Sequence, residues 1–235
     1  MARRTRGIRA VWLVAVAATM LAGQACAGEG SGGTGSETVA TSSPAVDTTT
    51  LAGDVRAAIE ESERYWTEQL SKRGITFEPV RQVIPYTSAG EVTCGSEPMQ
   101  SNNAAYCSAG DFIAFDAAWA QQGYDKIGDA FIYYLLGHEY AHAIQVRLGG
   151  QYQYTIEQEL QADCMAGAYI GDSSKSGGLT IEEGDIDELR QGLLAVGDDP
   201  TIPWFTPGAH GTAQQRTDAF FDGYERSLTA CGLTL

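Results

Sequence analysis

The sequence predicts an α+β fold, predominantly helical with a small β-sheet, on three observations. Five stretches read as helices, the first with apolar residues at helical spacing, and β-favouring runs are short and confined to the first half of the folded part. Two of the helical stretches also carry histidines or carboxylates four residues apart, a spacing that places them on one face. A chain of 235 residues is long enough for one domain of ordinary size with a core of its own. Hydrophobic residues make up 43% and charged residues 19%, which excludes wholesale disorder. The formal net charge of −15 repels a phosphate backbone, so nucleic acid is not an expected partner.

Arg3, Arg4, Arg6 and Arg9 precede an apolar run at residues 10–22, followed by small residues through Ala25, Cys26 and Ala27. That layout predicts an export signal over residues 1–27, because the run is shorter than the roughly 20 residues a membrane-spanning helix needs. Two processing schemes are open: cleavage after Ala27, or lipidation of Cys26, in which case the lipid is the chain's only link to a membrane. Residues 28–50 are almost entirely Gly, Ser, Thr and other small residues and predict a flexible linker. The folded domain is placed at residues 51–235.

Within that domain Val55, Ile59, Trp66 and Leu70 form one stripe of a first helix. Residues 76–86 read as extended. Residues 111–116 (DFIAFD) read as a strand, assigned to the sheet edge beside the cleft, where an extended peptide could pair. A long helix is predicted over 130–148, ended by Gly149 and Gly150, and a second over 155–169. Asp185 followed by Glu188 reads as an N-cap opening a helix to Gly197 on a solvated acidic surface, and a last helix covers 213–228. Trp119, Tyr133, Tyr134 and Trp204 are expected to pack in the core or at its rim.

The chemistry concentrates in the first long helix, at His138-Glu139-Tyr140-Ala141-His142. Histidines four apart project one turn apart, so two imidazole nitrogens can converge on one metal ion while Glu139 reaches a water beside it. This is the donor pattern of a zinc hydrolase, in which zinc acidifies water and the glutamate takes the proton. Zinc needs a third protein ligand. The second helix offers Glu159 and Asp163, again four apart: one carboxylate can ligate while the other fixes a ligand histidine's tautomer. Glu157 is expected to point away from that face. His210, the remaining histidine, either lies in a loop capping the next helix, donates to a developing oxyanion, or closes the site as a fourth ligand.

Gly137-HEYAH-Ala143-Ile144-Gln145, ELQADC at residues 159–164, GDID at 184–187, AVGDD at 195–199 and HGTAQQR at 210–216 together resemble the bacterial neutral zinc metallopeptidases. The resemblance covers roughly residue 54 to the C-terminus. It implies a zincin-like fold, one catalytic zinc ion held by His138, His142 and Glu159, Asp163 as partner of a ligand histidine, and a peptide or protein substrate. His210 and Arg216 resemble a pair in more distant gluzincins, where the histidine assists the oxyanion and the arginine steadies acidic groups near the metal. Ala141, Ala143 and Ser108 depart from the family's usual residues, but none of them is a ligand or the base.

With Cys26 in the signal, four cysteines remain, an even set for an exported protein. Of the three connectivities, Cys94 with Cys107 and Cys164 with Cys231 is favoured, and the family resemblance supports both pairs. Two rivals to a peptidase share the motif: a cell-envelope binding or regulatory protein with a structural zinc, and a zinc amidase acting on cell-wall amides.

Overall fold

A computed structural model describes residues 9–10 and 49–233 of the chain. The predicted export signal, apart from Arg9 and Ala10, and nearly all of the linker lie outside the described residues. Six α-helices lie among the described residues: α1 (Leu51–Ser71), α2 (Ala117–Lys126), α3 (Ala130–Arg147), α4 (Thr155–Ser176), α5 (Asp185–Ala195) and α6 (Ala213–Arg226), the last continued by a 3-10 turn at Ser227–Thr229. The strands are β1 (Arg9–Ala10), β2 (Gln82–Tyr86), β3 (Thr93–Cys94), β4 (Glu97–Pro98), β5 (Ala104–Cys107), β6 (Phe112–Asp116) and β7 (Leu179–Thr180). The fold is therefore α+β and mostly helical, of the zincin kind.

The helix α3 is mostly apolar, with residues 130–137 carrying no charge at all, and a helix of that composition belongs in the interior rather than at a surface. Phe131, Ile132, Tyr133, Tyr134, Leu136 and Tyr140 are all at most 2% exposed. Around it pack α1, α4, α5 and strand β5, so a core of Trp66, Phe131, Tyr133, Tyr134, Tyr140, Tyr169 and Phe220 surrounds the helix that carries both motif histidines. Local caps set the ends of the surrounding helices. Thr50 Oγ1 accepts from Gly53 N–H at the start of α1. Asp116 Oδ1 accepts from Ala118 and Trp119 at the start of α2, and Thr212 and Gln215 cap α6 reciprocally. Glu157 points outward as expected, and its Oε2 accepts the Gln153 N–H at the entry to α4.

The main sheet has the order β2-β6-β5, with β2 and β6 parallel and β5 and β6 antiparallel. The strand expected at the edge of the cleft, residues 111–116, is thus the central one, and β5 holds the edge against α3 instead. The reason is burial: Ile113, Ala114, Phe115 and Asp116 are all buried, which suits a strand flanked on both sides, whereas β5 is half-buried. Arg147, at the end of α3, ties the sheet down by donating to Glu78 O (2.7 Å) and pairing with Asp111 (3.0 Å).

Three further expectations change. Helix α4 runs to Ser176, beyond residue 169, because Ile170, Gly171 and Ser173 are still buried. It stops at Gly177, whose φ of 82° continues the chain in the left-handed region. The cap of α5 is Gly184, not Asp185. Asp185 is the first helical residue and is fully buried, whereas Glu183 and Asp187 are exposed, so the acidic stretch is solvated except where Asp185 turns inward. Disulfides join Cys94 to Cys107 and Cys164 to Cys231. Among the described residues no helix is long and apolar enough to cross a membrane.

Candidate metal centre

Two helices build the centre. His138 and His142, one turn apart on α3, present their Nε2 atoms 3.1 Å from each other. Glu159 comes from the first turns of α4, with Oε2 3.1 Å from His138 Nε2 and Oε1 3.5 Å from His142 Nε2. Tetrahedral coordination at about 2.0–2.1 Å puts ligand atoms about 3.3 Å apart, so this triangle has the size zinc requires. The rest of the hydrogen-bond network fixes the tautomers that ligation needs. His138 Nδ1 lies 2.8 Å from Asp163 Oδ1, and a carboxylate there demands the proton on Nδ1 and leaves the Nε2 lone pair facing Glu159 and His142. For His142 the same role falls to Gln145. Its Nε2 donates to Gln158 O and Gln161 Oε1, which leaves Oε1 to accept from His142 Nδ1 at 2.8 Å.

Asp163 is fully buried, accepts from Tyr134 (2.9 Å) and Arg216 (2.8 and 3.0 Å), and lies in ion-pair contact with His138 Nδ1. Burial opposes its charge, but His138 and Arg216 outweigh that and hold its pKa below the usual carboxylate range. Glu159 is likewise held low: burial would raise it, and the hydrogen bonds with His138 and His142 prevail. Burial pulls the His138 pKa down, yet the flanking Asp163 and Glu159 push it up to about 10, so protons and a cation compete for the same electron pair. Arg216 is also buried, and its Nη1 donates to Val196 O, which ties α6 to the end of α5.

An open cavity of about 640 Å³ lies in front of the triangle. His138, Glu139, His142, Glu159, His210 and Arg216 all line it. Its other wall is strand β5, from Ala104 to Tyr106, with Ser108. Glu139 Oε2 accepts the Tyr106 backbone N–H at 2.8 Å, so the glutamate is anchored to that wall. His210 stands apart from the donor triangle. Its side chain is half exposed, with Nδ1 3.4 Å from Asp198 Oδ1, while Asp198 Oδ2 accepts the backbone N–H groups of His210 and Gly211. Of the four aromatics expected in the core or at its rim, Tyr133 and Tyr134 are buried core, Tyr134 also donating to Asp163, Trp119 packs against that core, and Trp204 is exposed beside Tyr154.

Sequence reasoning missed the tasks of Gln145, Tyr134 and Asp198. Gln145 sits three residues after His142, a helical neighbour spacing that is a usable signal, whereas Tyr134 and Asp198 meet their partners only through tertiary packing.

Helices that cross with two histidines and a carboxylate converging beside a cavity define the class of zincin-like metal proteins. A family model described as "Putative neutral zinc metallopeptidase" matches residues 5–232, and the chain belongs to that family. No curated protein and no solved structure matches it.

Proposed function

We propose that the chain is an exported, zinc-dependent metallopeptidase that hydrolyses peptide bonds, with residues 1–27 as export signal, 28–50 as linker and 51–235 as the working domain. The observation that carries this reading is the donor triangle of His138, His142 and Glu159 opening onto a cavity that Glu139 also lines. When bound by those three residues, zinc supplies Lewis acidity and lowers the pKa of water. Glu139 accepts the proton from the attacking water and delivers it to the leaving amine. Its Oε2 is held by Tyr106 N–H, which keeps the carboxylate oriented and leaves Oε1 for that exchange. The edge strand β5 offers backbone groups along the cavity for an extended peptide. His210, steadied by Asp198, donates to the oxyanion as the carbonyl becomes tetrahedral. Arg216 and Asp163 keep His138 in its ligating tautomer. Export is supported by the basic-then-apolar N-terminus and by two disulfides, which persist in an oxidising compartment.

Metal analysis with a peptide library tests the reading. The chain should hold one zinc, and Glu139→Gln should keep that zinc while kcat/KM falls by about 10²- to 10⁴-fold. Chelator-sensitive cleavage that survives Glu139→Gln would sink the mechanism.

A further inference from the structure

A second group of oxygen donors lies away from the candidate zinc centre, where α3 and α5 begin. Asp129, Asp185 and Glu188 each bring a carboxylate oxygen within 4.8 Å of the other two. Asp129 immediately precedes α3, Asp185 opens α5, and Glu188 sits one turn further along α5. Gly128 makes room for this convergence: a Cβ there would meet the Glu188 carboxylate at 1.8 Å.

Two observations distinguish the cluster from ordinary helix capping. Asp129 is 7% exposed and Asp185 is 0% exposed, yet Asp129 Oδ2 and Asp185 Oδ1 have no hydrogen-bond partner among the described residues. Buried carboxylate oxygens left in that state carry a desolvation cost that native folds rarely leave uncompensated. The second observation is the sign of the surroundings. The charges acting on Asp129 are those of Asp54, Glu188 and Asp185, all of them carboxylates. Two helix N-termini supply about half a positive charge each, against three carboxylates in the cluster and a fourth, Asp54, beside it. Capping bonds exist at the periphery, from Glu182 N–H to Asp185 Oδ2 and from Ala130 N–H to Glu188 Oε2, but neither reaches the two bare oxygens.

We propose that Asp129, Asp185 and Glu188 form a binding site for one divalent cation, of which calcium is the chemical match. The donors are all hard oxygens, without histidine or thiolate, and three carboxylates that bind in one- or two-oxygen modes, completed by water, satisfy the six to eight oxygens calcium takes. Magnesium demands stricter octahedral geometry and gives up its water reluctantly, which suits a dry, helix-bound cluster less well. The cation joins α3, which carries the candidate zinc ligands, to α5, whose C-terminal end gives Ala195 and Val196 to the cavity wall. Its role is to clamp those two helices together.

The test is a CaCl2 titration of the full chain already loaded with one equivalent of zinc, with bound calcium measured by equilibrium dialysis and unfolding followed by thermal melts. The site predicts one calcium per chain and, at a hundredfold excess over Kd, a Tm raised by about 5–10 °C. Asp185→Asn should abolish both effects with zinc content unchanged, and Asp129→Asn provides the same readout if the first variant does not fold. No calcium bound at 10 mM, or the same stabilisation in a folded variant, overturns the proposal. Neither result bears on zinc-dependent cleavage, which is measured separately.

Discussion

Asp163 shows how much of this centre depends on residues that would never touch a substrate's scissile bond. It receives His138, Tyr134 and both nitrogens of a forked Arg216 contact while fully removed from water. Breaking a buried pair from one side strands the remaining charge, at about 3–5 kcal/mol. Arg216→Met should therefore destabilise the fold by about 3 kcal/mol, the lower end, because His138 still faces Asp163. Urea unfolding of zinc-free wild type and variant gives the value, and a loss under about 1 kcal/mol would show that Asp163 is satisfied without the arginine. The convergence of His138 and His142 was legible in the sequence because four-residue spacing on a helix is a local rule. The role of Arg216 came only through resemblance, since 53 residues separate it from Asp163. Asp185 was misread for a related reason: an acid at a helix start looks solvated until the neighbouring helix covers it.

At the level of elements, the centre depends on how closely α6 approaches α4. A Cβ on Gly167 would lie 1.9 Å from Phe220 O, and one on Gly223 would lie 1.9 Å from Cys164 O, so the two backbones touch where glycine alone fits. That approach brings Arg216 of α6 to Asp163 of α4. Gly167→Ala should force the helices apart, cost about 1–3 kcal/mol by overpacking, and weaken zinc binding by loosening Asp163. Denaturation together with zinc competition titration measures both, and a variant with unchanged stability would mean that the helices slide freely. Helices α1, α3, α4, α5 and α6 were readable in the sequence, α1 from its apolar stripe and α3 from the Gly149-Gly150 stop. Helix α2 and strand β5 were not: AAYC at 104–107 has neither alternation nor β-branched residues, so pairing to β6 and packing on α3 make it a strand.

The molecule as a whole is acidic, with a formal charge of −15, and its buried carboxylates divide into two groups that respond to pH in opposite senses. Asp163, held low, contributes stability above the unfolded carboxylate pKa near 4, and that contribution is lost as pH falls through its native value. Asp129 behaves in reverse. Burial first, then Asp54, Glu188 and Asp185, push it up to about 8, while Asp185 is pushed up to about 6 by burial and the nearby Glu188 and Glu182. Between pH 4 and 8 the native state retains protons that the unfolded chain has released, so stability falls as pH rises, by at most about 1.4 kcal/mol per pH unit for each proton held. In calcium-free buffer the unfolding free energy should thus decline from pH 5 to 8. Asp129→Asn, which keeps the size and removes the titrating carboxyl, should flatten that decline, because it deletes one group whose native pKa lies above its unfolded value. Urea titrations of the two proteins at half-unit pH steps test this as a difference, in which the shared titration of the candidate zinc-binding residues cancels. Parallel slopes for the two proteins would mean that Asp129 is not a strained buried acid. A flatter slope in the variant would identify the junction of α3 and α5 as the place where the fold holds negative charge at a cost, a cost that a bound cation would offset in the wild type.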